Sequence, residues 1–102
     1  MNKAHQSWQT LRTGTAHKLL ARDEGRDLQC DLMQLDPNTQ LPAHRHPSWE
    51  WVYVLQGSLT DARGTFLAGD FIHNTAGSEH QVSTGADGAE LFVVWCGRVE
   101  NL

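Results

Sequence analysis

The chain has 102 residues, enough for one domain around one hydrophobic core. Lysine and arginine number 8 against 12 aspartates and glutamates, a formal charge of −4 that argues against a nucleic-acid or anionic-membrane surface. No apolar run approaches the roughly 20 residues that span a bilayer, and the opening Met1-Asn2-Lys3-Ala4-His5-Gln6 leads into no hydrophobic signal core, so a soluble cytoplasmic protein is expected, with a small molecule, a metal or another protein as partner.

Turn residues punctuate the whole length: Thr13-Gly14, Asp23-Glu24-Gly25, Asp36-Pro37-Asn38, Gln56-Gly57, Arg63-Gly64, Ala68-Gly69-Asp70, Ala76-Gly77 and Gly85-Ala86-Asp87-Gly88. The runs between them are too short for helices and rich in alternation, which predicts an all-β sandwich or barrel with no amphipathic helix. One domain over 1–102 is expected, its core about 8–97 and residues 1–7 a polar tail. Leu28, Cys30 and Leu32 alternate with Gln29 and Asp31, reading as a strand with one buried face. Trp49 to Leu55 is apolar at both parities and reads as a strand covered on both faces; Phe66-Leu67 and Phe71-Ile72 read as short strands around Gly69-Asp70, and Ala89 to Cys96 as a late core strand. Cys30 and Cys96 are too few and too far apart for a zinc knuckle or a secreted scaffold, and are expected as free, buried thiols.

The most informative stretch is His44-Arg45-His46-Pro47-Ser48-Trp49-Glu50, answered further on by His80. Three imidazoles and a carboxylate are the ligand set that borderline divalent metals prefer. On a strand, His44, His46, Glu50, Val52 and Val54 share parity and face inward together, although Pro47-Ser48 allows a bend. A glutamate in an apolar run is costly to bury unless a cation or hydrogen bonds hold it, and a metal supplies the cation. Glu79 should point away from the site. His73 is a candidate for the site mouth or for backing a ligand, with a solvated position the plainer reading; His5 and His17 precede the core and are given no role. Trp95, or its neighbours Phe92 and Val94, should line a pocket, with the parity of that strand left open. The stripe Trp49, Trp51 and Tyr53 must be covered either by the N-terminal strand around Trp8 or by a second subunit, and a homodimer across this face is expected.

These residues resemble the cupin superfamily. Its first motif, Gly, five residues, His-x-His, three or four residues, Glu, six residues, Gly, is met by His44, His46, Glu50 and Gly57, with Asn38 in the place of the first glycine. Its second, Gly, five residues, Pro-x-Gly, two residues, His, three residues, Asn, is met by Gly69, Gly77 and His80, with Thr75 and Thr84 replacing the proline and asparagine. Within cupins the tract from about His17 to Gly97 is most similar to the domain at the C-terminus of ChrR-type anti-sigma factors and to small relatives of it. The resemblance implies a double-stranded β-helix, or jelly-roll barrel, holding one divalent metal ion per chain, zinc, iron, manganese or nickel, on the motif histidines and glutamate. Zinc is the metal reported for the anti-sigma factors and iron for related ring- and diketone-cleaving enzymes. The helical zinc-binding domain that holds the sigma factor in those proteins is not found in this sequence.

Three functions follow as expectations. The first is a metal-dependent oxygenase acting on a small organic substrate. No serine, cysteine or acid pair stands beside a plausible base, so no catalytic group is expected beyond the metal site. The second is a zinc-binding sensory or regulatory module, closed by four protein ligands. The third is a metal-bearing dimeric scaffold.

Overall fold

The structure, a computed structural model, describes residues 7–102. The expected polar tail therefore falls, except for the exposed Ser7, outside the described residues, as does His5. Among these residues ten strands follow in chain order: β1 (Gln9–Arg12), β2 (Thr15–Asp23), β3 (Leu28–Leu35), β4 (His44–Arg45), β5 (Glu50–Asp61), β6 (Gly64–Leu67), β7 (Phe71–Asn74), β8 (Glu79–His80), β9 (Ala89–Cys96) and β10 (Glu100–Asn101). Among the described residues the helical content is a single 3-10 turn at Glu24–Arg26, and no helix is long and apolar enough to cross a membrane. The last pairing, β10 on β4, lies just beyond the expected core limit at 97.

The strands form two antiparallel sheets of a jelly-roll barrel. The larger runs β1-β2-β3-β9-β5-β6, with β7 also on β5; the smaller runs β10-β4-β8. Strand β5 organises the larger one. Its first part pairs with β7 and β9, and its last four residues pair with β6. An irregularity between Val54 and Gln56 separates the two parts. The extra residue of a bulge shifts the alternation by one, so the buried positions change from Val52 and Val54 to Leu59 and the side chain of Asp61. Residues Leu35, Val52, Val54, Leu59, Ile72, Val82, Ala89, Leu91 and Val93 make the core.

Several expectations are corrected. Strand β3 does not bury Leu28 and Cys30 at the expense of its polar parity: Gln29 and Asp31 are buried while Leu28 and Cys30 are half-buried. The reason is local pairing, since Gln29 Nε2 donates to both Asp31 oxygens at 3.0 Å and Trp95 Nε1 donates to Asp31 Oδ2 at 3.3 Å. Burial of hydrogen-bonded polar groups costs little compared with burial of orphaned ones. Cys30 and Cys96 are free, as expected, but half-buried.

Strand β5 is covered on one face only. Trp51, Tyr53 and Leu55 are 43%, 41% and 38% exposed. The N-terminal strand cannot cover them, because β1 lies at the opposite edge of the sheet, beyond β2, β3 and β9. Trp8 packs instead beneath Lys18, whose Nζ is 4.7 Å from the ring centre.

Candidate metal centre

The histidines meet because of strand register. His44 on β4 is the direct ladder partner of His80 on β8, and cross-strand partners project to the same face of a sheet. His46 follows β4 and is held by two backbone bonds: its N–H donates to the Ser78 carbonyl at 2.9 Å, and the His46 carbonyl accepts from Gly77 N–H at 2.7 Å. The chain then bends at Pro47-Ser48, and β5 begins at Glu50. His44 and His46 therefore do not share one extended strand with Glu50, although the bend still delivers Glu50 Oε1 to 3.7 Å from His46 Nε2.

The three Nε2 atoms converge. His80 Nε2 is 2.8 Å from His44 Nε2 and 3.0 Å from His46 Nε2. Their other nitrogens explain why this matters. His44 Nδ1 lies 3.0 Å from the Pro42 carbonyl and His80 Nδ1 lies 3.2 Å from Asp61 Oδ2. A carbonyl and a carboxylate can only accept, so each Nδ1 carries a hydrogen, which in the neutral form of a ring leaves the Nε2 lone pair turned toward the other. Two lone pairs at 2.8 Å repel unless a cation lies between them. Nitrogen ligands each about 2.1 Å from one metal ion would stand about 3–3.5 Å apart, and the two separations from His80 lie near the lower end of that range. The donor set fits a divalent metal.

A hydrogen-bonded chain backs this set. Asn74 Nδ2 donates to Glu50 Oε1 at 2.8 Å, Arg63 Nη2 donates to Asn74 Oδ1 at 2.7 Å and to Asp61 Oδ2 at 2.6 Å, and Asp61 receives the His80 hydrogen. Burial pushes the Glu50 carboxyl up to about 7, partly offset by the Asn74 bond. Burial, then the neighbouring His80 and His44, bring His46 down to about 4, and burial lowers His80 despite Asp61. Burial alone would raise Asp61, but hydrogen bonds from Arg63 and His80 outweigh it and hold its carboxyl at about 2. A neutral imidazole offers the lone pair that a metal requires, and a cation beside Glu50 would hold its carboxylate ionised against the cost of burial.

Among the sequence candidates, His44, His46 and His80 come together as one group, with Glu50 at its edge. Glu79 is exposed and pairs with Arg45 at 3.2 Å. His73 neither lines the mouth nor backs a ligand: it is exposed on the outer face of β7, and the inward position belongs to Asn74. Trp95 has the inward parity, with Leu91 and Val93, and lines an interior cavity of about 650 Å³ together with His44, Glu50 and His80. His17, given no role from sequence, lines the same cavity. Asp61, Arg63 and Asn74 were not singled out either. Asn74 had a usable signal, standing six residues before the candidate ligand His80 within the second motif tract.

Comparison with known proteins agrees with this fold. A protein of unknown function with a cupin-like fold from Ralstonia eutropha superposes with a TM-score of 0.81 at 24% identity, over 87% of this chain and 59% of that one. The anti-sigma factor ChrR, in complex with SigE from Rhodobacter sphaeroides, gives 0.77 at 24% identity, over 89% and 50%. An acetylacetone dioxygenase from Acinetobacter johnsonii gives 0.78 at 11% identity, over 100% and 83%. At these identities the likeness is one of fold, and the chain spans less than two thirds of the first two proteins. No curated protein matches. The family described as the ChrR cupin-like domain matches residues 1–100, and with the barrel and its converging histidines in place, the chain belongs to that family of cupins.

Proposed function

We propose that the chain binds one divalent metal ion through His44, His46 and His80, with Glu50 as the fourth ligand, and acts as a metal-dependent enzyme of the oxygenase type on a small organic substrate. The carrying observation is the cavity of about 650 Å³ that opens directly onto His44, Glu50 and His80. A structural zinc site is closed by its four protein ligands, whereas a catalytic one faces a space that a substrate can enter. Iron(II) on such a set would supply open positions for oxygen and a chelating substrate. The chain's own part is to aim and to exclude. Pro42 and Asp61 keep the hydrogens of His44 and His80 on Nδ1, Asn74 holds Glu50 Oε1, and Val52, Leu91 and Val93 keep that wall of the cavity apolar. The shared fold of the acetylacetone dioxygenase supports this reading.

The family description favours a second reading, a zinc-holding regulatory module. Metal analysis by plasma mass spectrometry on untagged protein purified without chelators separates them. Near-stoichiometric iron or manganese is expected for the enzyme, near-stoichiometric zinc turns the reading to the module, and no metal overturns both.

We also propose a homodimer across the outer face of β5, where Tyr53 lies between Phe71 and Phe92 in the ladder and Trp51 adjoins them. Exposed apolar patches of this kind mark association surfaces. Trp51→Glu is expected to shift the protein to monomer in light scattering; a retained dimer would place the interface elsewhere.

A further inference from the structure

The wall of the cavity formed by β2 and β3 differs from the rest. Across β5 and β9 the inward rows beyond the Glu50–Trp95 pair are aliphatic, Val52 opposite Val93 and Val54 opposite Leu91. Across β2 and β3 the inward rows carry Thr15 opposite Leu35, His17 opposite Met33, Asp31 opposite Leu19 and Gln29 opposite Arg22. Thr15, His17, Asp31 and Gln29 all line the cavity.

This polar corner is held rigid and keeps spare hydrogen-bonding capacity. Arg22 Nη1 donates to Gln29 Oε1 at 2.9 Å, which fixes the amide so that its Nε2 donates to both oxygens of Asp31. Trp95 Nε1 adds a bond to Oδ2. Asp31 is 4% exposed and Thr15 3%. Yet Thr15 Oγ1 and His17 Nδ1 are buried with no hydrogen-bond partner among the described residues, although His17 Nδ1 lies 3.3 Å from Asp31 Oδ1. Buried polar atoms are nearly always satisfied, and two neighbouring exceptions on the wall of a cavity point to a guest that satisfies them.

We infer that Thr15, His17 and Asp31 form a polar subsite for the neutral hydroxyl end of a small organic ligand whose other end meets the histidine centre. The inference rests on the metal reading only for where that other end lies. A hydroxyl both donates and accepts, which suits a carboxylate beside a threonine oxygen and an imidazole nitrogen. A carboxylate end would face the charge of Asp31, and an alkyl end would leave the unpartnered atoms as they are.

The probes are 4-(hydroxymethyl)catechol and 4-ethylcatechol, which differ by a hydroxyl in place of a methyl and can chelate a metal through the catechol oxygens. Affinities are measured by calorimetry on metal-loaded protein and by ligand-observed NMR on protein stripped of metal. The wild type is expected to prefer the hydroxymethyl compound about tenfold, one well-made hydrogen bond. The double variant Thr15→Val, His17→Phe is expected to bring the ratio to about one while metal content stays unchanged, and Asp31→Asn, which keeps the shape of the corner, is expected to reduce it. Equal affinities in the wild type, no binding of either catechol, or an unchanged ratio in the folded variants overturns the inference. Failure of the wild type to take up metal overturns the metal centre instead, and the comparison on stripped protein still decides this one.

Discussion

His46→Ala is expected to abolish metal binding and to lower the melting temperature on the order of 15–30 °C. His46 is the most enclosed of the three ligands, 2% exposed, and its backbone is tied into the strand beside β8. Metal bound by the folded state alone stabilises it by about 4 kcal/mol when present at a thousand times its dissociation constant. A domain of this size loses about 4–8 °C per kcal/mol. The competing description makes a prediction of opposite sign. Without a metal, His46 belongs to a crowded trio of imidazoles in which His80 Nε2 stands 2.8 Å from His44 Nε2 and 3.0 Å from His46 Nε2, and removing one of them would relieve repulsion. Calorimetric melting with and without chelator distinguishes the two. The wild type should fall to near the variant's temperature when stripped, the variant should be indifferent to chelator, and a variant as stable as the wild type with undiminished metal content would refute the assignment.

The histidine cluster and its glutamate were legible in the sequence because their signal is short-range. His44 and His46 sit two apart, Glu50 follows at the motif spacing, and His80 is framed by Gly77. The departures from the motifs proved to be sites that other chemistry fills: Asn38 takes the left-handed conformation at φ 53°, and Thr84 donates to the Asp36 carbonyl at 2.7 Å while accepting from Thr39 N–H at 2.9 Å. What stayed hidden depends on register. Strict alternation from Val52 and Val54 sends Asp61 to the outer face, and only the irregularity after Val54 turns it inward to receive the His80 hydrogen. The polar corner was hidden for a similar reason. Leu28, Cys30 and Leu32 look like the buried parity of β3 until Trp95, on another strand, is seen to donate to Asp31, and Arg22, also on another strand, to fix the Gln29 amide that donates to both Asp31 oxygens. Apolar patterning reports which face is greasy, and a barrel that encloses a polar guest site reverses that inference locally.

The register shift that brings Asp61 to His80 also identifies the glycine whose loss should hurt the fold most. Gly57 lies just past the irregularity with φ 75°, and a Cβ there would stand 2.0 Å from the Gly88 carbonyl oxygen and 3.0 Å from Ala89 Cα. The left-handed backbone costs a non-glycine residue about 1–2 kcal/mol, and forcing extra volume into packed surroundings about 1–3 kcal/mol more. The obstacle is backbone on both sides, since Gly57 pairs with Ala89 across β5 and β9, so no side-chain rotation can relieve it. Gly57→Ala is therefore expected to cost about 2–5 kcal/mol. Gly69 provides the control, because it also has positive φ, 94°, but nothing within 4 Å of its Cβ position, and Gly69→Ala should lose only the conformational part, about 1–2 kcal/mol. Urea denaturation of both variants measures the difference. A Gly57 variant that keeps its fold but gives way at the strand crossing should also loosen the Asp61 contact to His80 and bind metal more weakly than the Gly69 variant. Equal losses of stability in the two would show that the close approach of β5 to the Gly88 carbonyl does not constrain the barrel.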